Sequence, residues 1–207
     1  MVPIATPVGD ARVDVRPALG TERLTLALGH GAGGGIEAAD LVALAEALPL
    51  RGITVVRVEQ PWRVAGRKVA TAPPTLDVAW LAVIEALRLV GPVAVGGRSA
   101  GARVACRTAR QVGAMACVAL AFPLHPPGRP EKSRLGELAS VGVPTLVVQG
   151  DRDAFGGPKA FPRKPSSPYL VHPVPGADHS FRVLKGQDRG STLEHLASVV
   201  SDWLLSR

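Results

Sequence analysis

A serine stands between two glycines in the run Val95-Gly96-Gly97-Arg98-Ser99-Ala100-Gly101-Ala102-Arg103, and that spacing suits nucleophilic chemistry. A hydroxyl carried on a sharp turn from strand to helix is lifted clear of the sheet. Glycines two residues to either side are needed because a Cβ at either place would strike the neighbouring strand or helix. The flanks fit this reading. Gly91-Pro92-Val93-Ala94-Val95 reads as a turn and a buried strand, and Ala100 to Gln111 carries the small residues of a closely packed helix. The bare pattern also occurs in tight turns that do no chemistry, so the flanks carry the weight.

A serine hydroxyl is a poor nucleophile until a base takes its proton, and the base needs a carboxylate to orient it. Both types follow in order. Val147-Val148-Gln149-Gly150-Asp151-Arg152-Asp153 places two aspartates beyond an apolar run, and Pro175-Gly176-Ala177-Asp178-His179-Ser180-Phe181 places a histidine beyond the next. Of the five histidines, His30 and His125 precede the carboxylates. His30 sits where a strand meets a glycine loop and suits a backbone-ordering role. His172 lies within a strand beside Pro173, and His195 lies on the last helix. His179, on a loop after the last strand, is the candidate base. Asp153, further out along its loop, is preferred as its partner, with Asp151 left to hold the turn. Asp178 adjoins the histidine in sequence and points elsewhere.

Chemistry at a carbonyl also needs preorganised donors for a developing oxyanion. Gly29-His30-Gly31-Ala32-Gly33-Gly34-Gly35 follows the first core strand; the backbone N–H groups of Ala32 and Ala100 are the candidate donors. This loop lacks the endings of phosphate or dinucleotide loops. Arg98 and His125 belong near the same rim, each readable as a substrate contact or as a tie between loops. Trp62, Phe122, Phe155 and Phe181 are candidates for apolar walls around the substrate.

Apolar runs bounded by Gly or Pro alternate with helical patterns, the signature of a parallel sheet covered on both faces. Strands are expected at Leu24 to Leu28, Thr54 to Val58, Val93 to Val95, Ala116 to Ala121, Thr145 to Val148 and Tyr169 to Val174. Helices are expected at about Glu37 to Leu48, Leu76 to Val90, Ser99 to Val112 and Thr192 to Leu205, with a short turn near Arg134 to Ala139. Arg12 to Arg16 alternates apolar and polar residues as an antiparallel edge strand would. Loops at Gln60 to Pro74, Pro123 to Ser133 and Phe155 to Pro168 are rich in Pro and Gly, and in such a sheet the loops at strand carboxyl ends build the site.

The 207 residues, 46% of them hydrophobic, suit a single domain spanning 1–207. No stretch has the apolar length of a membrane span and the N-terminus has no leader pattern, so a cytoplasmic protein is expected. Cys106 and Cys117 match no metal or redox spacing. A net charge of +7 raises the question of an acidic partner. The charges are scattered, aromatics are only 4% and no nucleic-acid module is recognisable, so no nucleic-acid partner is expected. Arg103, Arg107 and Arg110 share one helix face, where a helix packed on a sheet is solvated. Oligomeric state leaves no signal in the chain.

These segments together resemble the α/β-hydrolase superfamily, and within it a small dienelactone-hydrolase-like branch that includes the testis-expressed and non-specific-lethal-complex subunit proteins. The resemblance runs through Leu28-Gly29-His30-Gly31-Ala32-Gly33, Val55-Val56-Arg57, the serine turn, Pro123-Leu124-His125-Pro126-Pro127-Gly128-Arg129-Pro130-Glu131, Val148-Gln149-Gly150-Asp151-Arg152-Asp153-Ala154-Phe155-Gly156 and Asp178-His179-Ser180-Phe181. It implies a three-layer α/β-hydrolase fold and a triad of Ser99, Asp153 and His179. Ala100 and Ala102 stand where relatives often carry methionine and glycine. Only Phe122 to Val143 separates two of the strands, too little for a large helical cap. The function expected is a serine hydrolase acting on a small soluble ester, thioester or lactone, without metal or organic cofactor. The alternative is a catalytically silent binding or scaffold protein that kept the fold.

Overall fold

The computed structural model describes residues 1–162 and 169–207. The end of the loop expected at Phe155 to Pro168 lies outside the described residues. The chain order is β1 (Val2–Ile4), β2 (Ala11–Arg16), β3 (Leu24–Gly29), α1 (Ala39–Ala47), β4 (Ile53–Glu59), α2 (Pro61–Val64), α3 (Pro73–Leu87), β5 (Val93–Arg98), α4 (Ala100–Thr108), β6 (Ala116–Leu120), α5 (Leu135–Ala139), β7 (Thr145–Gly150), β8 (Tyr169–Val174) and α6 (Arg189–Leu205). One eight-stranded sheet runs in the order β1-β2-β4-β3-β5-β6-β7-β8. Its first two pairings are antiparallel and the others parallel. This is the α/β-hydrolase architecture, with helices on both faces and only the short α5 between β6 and β7.

The strands read as unbroken apolar runs because both faces of the sheet are covered, and alternate residues go to opposite cores. Leu26 and Leu28 of β3 pack with Leu41, Leu44, Leu196 and Val200 of α1 and α6. Ala27 between them faces the other way, with Trp80, Val83 and Val104 of α3 and α4. On that second face Ala27, Cys117 and Ala119 are all small, which lets α4 settle close to the sheet.

Several expected boundaries move, each for a local reason. Helix α3 starts earlier than Leu76 because Pro73 and Pro74 fit a first turn, where an N–H has no partner anyway. It ends before Val90, at Arg88, whose φ of 43° is left-handed. Helix α1 stops at Ala47 and tightens into a 3-10 turn around Pro49. The expected antiparallel strand is present as β2, but it is not the sheet edge: β1 pairs along its outer side, Val2 opposite Val13. Nor is the arginine face of α4 simply solvated. Arg103 pairs with Glu137 of α5, and Arg107 with both Glu137 and Asp77 of α3. Among the described residues no helix is long and apolar enough to cross a membrane.

Two consequences are measurable. A Cβ on Gly101 would overlap the carbonyl groups of Gly29 and His30, so Gly101→Ala is expected to lower stability by about 3 kcal/mol or more in urea unfolding. The second concerns Glu137. Burial by itself would raise its carboxyl, but Arg103 and Arg107 outweigh burial and hold it below the ordinary value of 4.5. Its contribution is therefore present above that value and is lost as pH falls through the lower, folded one. The stability gap between wild type and Glu137→Gln is expected to close on acidification across that window.

Candidate active site

Ser99 sits on the turn between β5 and α4 with φ 53° and ψ −110°, a conformation that a non-glycine residue holds only when its surroundings impose it. Backbone of the neighbouring strands packs closely against the turn. The Ser99 N–H donates to Leu120 O at 3.0 Å, tying the turn to β6. A Cβ on Gly97 would lie 2.6 Å from Gly29 O. Strand β3, the turn and the first residues of α4 therefore approach more closely than side chains would permit.

Three side chains from separate rim loops meet at this turn. His179 Nε2 lies 2.9 Å from Ser99 Oγ, and His179 Nδ1 lies 2.8 Å from Asp153 Oδ2. Asp153 has a fully buried side chain and accepts two further bonds, from Gln149 Nε2 at 2.9 Å and from the Phe155 N–H at 2.8 Å. With every partner a donor, the carboxylate takes its proton contact from Nδ1–H, which leaves Nε2 to accept from the serine hydroxyl. The arrangement can move a proton from oxygen to imidazole while the carboxylate steadies the resulting charge. Phe155 lies against the imidazole, ring centroids 4.2 Å apart.

The loops that bring these groups together are held by their own acids. Asp151 Oδ1 accepts from the Gly176 N–H at 2.8 Å, joining the loop of Asp153 to that of His179. Asp178 Oδ1 accepts from the N–H groups of Ser180 and Arg182, so it shapes the loop rather than touching the imidazole.

On the other side of Ser99, the glycine loop after β3 is set by His30. Its Nε2 accepts from the Gln60 N–H at 3.0 Å, so Nδ1 carries the proton and donates to Gly31 O at 2.9 Å. Burial holds this imidazole below its ordinary value, in keeping with the neutral form the two bonds require. The Ala100 N–H opens α4, where a helix has no acceptor of its own. Ala100, Ala32 and Trp62 line a cavity of about 10 Å³, room for about one water. Gln60 and Trp62 also border a larger hollow of about 310 Å³ with Pro61, Val64 and Thr75.

The remaining expected site residues divide. Arg98 lies with its side chain 12% exposed, and its Nη2 donates to His179 O at 2.9 Å and Ser180 Oγ at 3.0 Å. Its Nε lies 3.2 Å from the buried Asp40 Oδ2. The guanidinium thus ties α1, the serine turn and the histidine loop together. His125 is half-buried; its Nδ1 faces Pro126 O, and its N–H donates to Phe155 O. Phe122 and Phe181 are not pocket walls, because both rings are fully buried. The left-handed backbone at Ala121 and Phe181 turns them inward, one to each core. His172 and His195 lie against each other, ring centroids 5.6 Å apart, across β8 and α6. Among the described residues no three His, Cys, Asp or Glu side chains cluster as metal ligands would.

Sequence reasoning passed over Asp40, Gln149 and Arg189. Arg189 donates to Ser180 O and Phe181 O, fixing the histidine loop from α6. Gln149 had a visible signal: it is the one amide of β7, directly after the apolar run Leu146-Val147-Val148.

Known structures share this architecture. An α/β serine hydrolase without a lid from Xanthomonas campestris superposes with a TM-score of 0.72 at 22% identity, covering 97% of this chain and 91% of that one. An α/β serine hydrolase homologue from Coxiella burnetii gives 0.79 at 22% identity, covering 98% and 96%. A dienelactone hydrolase from Anabaena variabilis gives 0.73 at 17% identity, covering 99% and 95%. At these identities the likeness is one of fold. Residues 22–204 match the family described as alpha/beta hydrolase domain, and with nearly the whole chain inside that match, the protein belongs to this family.

Proposed function

We propose that this protein is a serine hydrolase that cleaves a small ester, thioester or lactone through an acyl-enzyme on Ser99. The observation that carries the reading is the unbroken hydrogen-bonded sequence from Asp153 through His179 to Ser99, with Ser99 on a turn of left-handed backbone. In the first step His179 Nε2 takes the hydroxyl proton as Ser99 Oγ bonds to the substrate carbonyl carbon. The oxyanion so formed is held by the N–H groups of Ala100 and Ala32. His179 then gives the proton to the leaving oxygen or sulfur as its bond to carbon breaks. Water, deprotonated by the same imidazole, attacks the acyl-enzyme and releases the acid with Ser99 restored. Asp153 keeps Nδ1 protonated throughout.

One feature supports a small substrate: the segment between β6 and β7 holds one five-residue helix rather than a cap. The dienelactone-hydrolase-like placement rests on the six segments from Leu28-Gly29-His30 to Asp178-His179-Ser180-Phe181, and a dienelactone hydrolase is among the proteins that share the fold.

A fluorophosphonate probe is expected to label wild type at Ser99 and to leave Ser99→Ala and His179→Ala unlabelled; a folded wild type that takes no label would instead indicate a scaffold. Asp153→Asn is expected to cut the labelling rate by about a thousandfold or more, since an amide there favours the wrong tautomer of His179. With a series of nitrophenyl esters, kcat/KM is expected to be highest for acetate or propionate and to fall with chain length. A rise toward long acyl chains would refute the small-substrate assignment.

A further inference from the structure

Resting on the proposed acyl-transfer reading, we infer that Gln149 is a positioning residue for it: one carboxamide sets both the carboxylate that faces the base and the aromatic ring that lies on it. Gln149 is fully buried near the end of β7. Its Nε2 donates to Asp153 Oδ2, the same oxygen that meets His179 Nδ1, at 2.9 Å, and to Gly156 O at 2.7 Å. A longer contact of 3.3 Å reaches Phe122 O. Asp153 and Gly156 flank the segment that carries Phe155, and the Phe155 N–H closes back on Asp153 Oδ1. The amide therefore pins both ends of a four-residue loop to the strand beneath it.

The orientation of the amide is fixed by chemistry. Its three neighbours are all acceptors, so only the NH₂ end can face them. That choice leaves Oε1 buried with no partner, which lowers stability. An apolar side chain would spare the fold that loss, yet it could not hold the carboxylate.

Gln149→Leu keeps the approximate volume and removes both donors. In the labelling assay its rate is expected to fall by about tenfold to a hundredfold, with the ring-current-shifted signals of Phe155 changed in NMR spectra. A folded variant that labels within about twofold of wild type, with the Phe155 signals unchanged, overturns the inference while leaving the Ser99 mechanism intact. Absence of label on wild type itself overturns both. Should Gln149→Leu not fold, Gln149→Glu decides. Protonated, the new carboxyl donates to Asp153; ionised, it repels it. Labelling by that variant is expected to fall as pH rises through the range where wild type stays level, and a profile parallel to wild type counts against the role.

Discussion

The close approach of three backbone segments, with no side chain between them, governs the rest of the molecule. The carbonyl of Gly29 ends β3 in the space that a Cβ of Gly97 or Gly101 would occupy. This lets α4 start directly against the sheet, and the turn into it becomes tight enough to force Ser99 to a φ of 53°. A strained residue costs of order 1–3 kcal/mol, and here the parallel pairing of β5 with β3 and β6 on either side supplies the restraint. The position of Ser99 and its strain both follow from glycines at the same crossing.

Much of this was legible in the sequence because steric demands leave few alternatives. Only glycine satisfies Gly97 and Gly101, and only apolar residues fill strands covered on both faces, so the serine turn and the parallel sheet could both be read. The carboxylate and imidazole were readable by order along the chain, Ser then Asp then His, even though the distances between them depend on loop folding. The aromatic residues were not. Phe122 and Phe181 stand in rim segments where a pocket wall is a fair expectation, but their direction is set by left-handed backbone at Ala121 and Phe181. A backbone choice at a non-glycine residue leaves no mark in residue type. Strand β1 was equally silent, being three residues long with a proline at its centre.

Supporting contacts were harder to read than the residues they support. Asp178 closes its own loop on two N–H groups, Asp151 reaches the N–H of Gly176 on the next loop, and Gln149 reaches the Asp153 carboxylate and a carbonyl beyond it; such partners depend on loop folding more than on residue type. Their effect is to convert rim loops, ordinarily the mobile part of an α/β sheet, into fixed mounts. The loop of Asp153 is held to the loop of His179 by Asp151, and to its own strand by Gln149. Precision at Ser99 thus does not require any of these residues to touch it.

The excess of positive charge has an internal use that the composition alone obscures. Arg134 donates to Pro123 O, Arg152 to Gly176 O, and Arg189 to Ser180 O and Phe181 O, while Arg98 adds His179 O. A guanidinium bound to a neutral carbonyl makes a charge-assisted hydrogen bond that helps to hold a loop, and it brings no negative charge to the sum. Rim loops with many turns expose carbonyls that no strand or helix partners, and arginine, with five donors in a planar fork, can reach two or three at once. The excess of Lys and Arg over Asp and Glu, 24 against 17, therefore comes in part from how the loops around Ser99 are built.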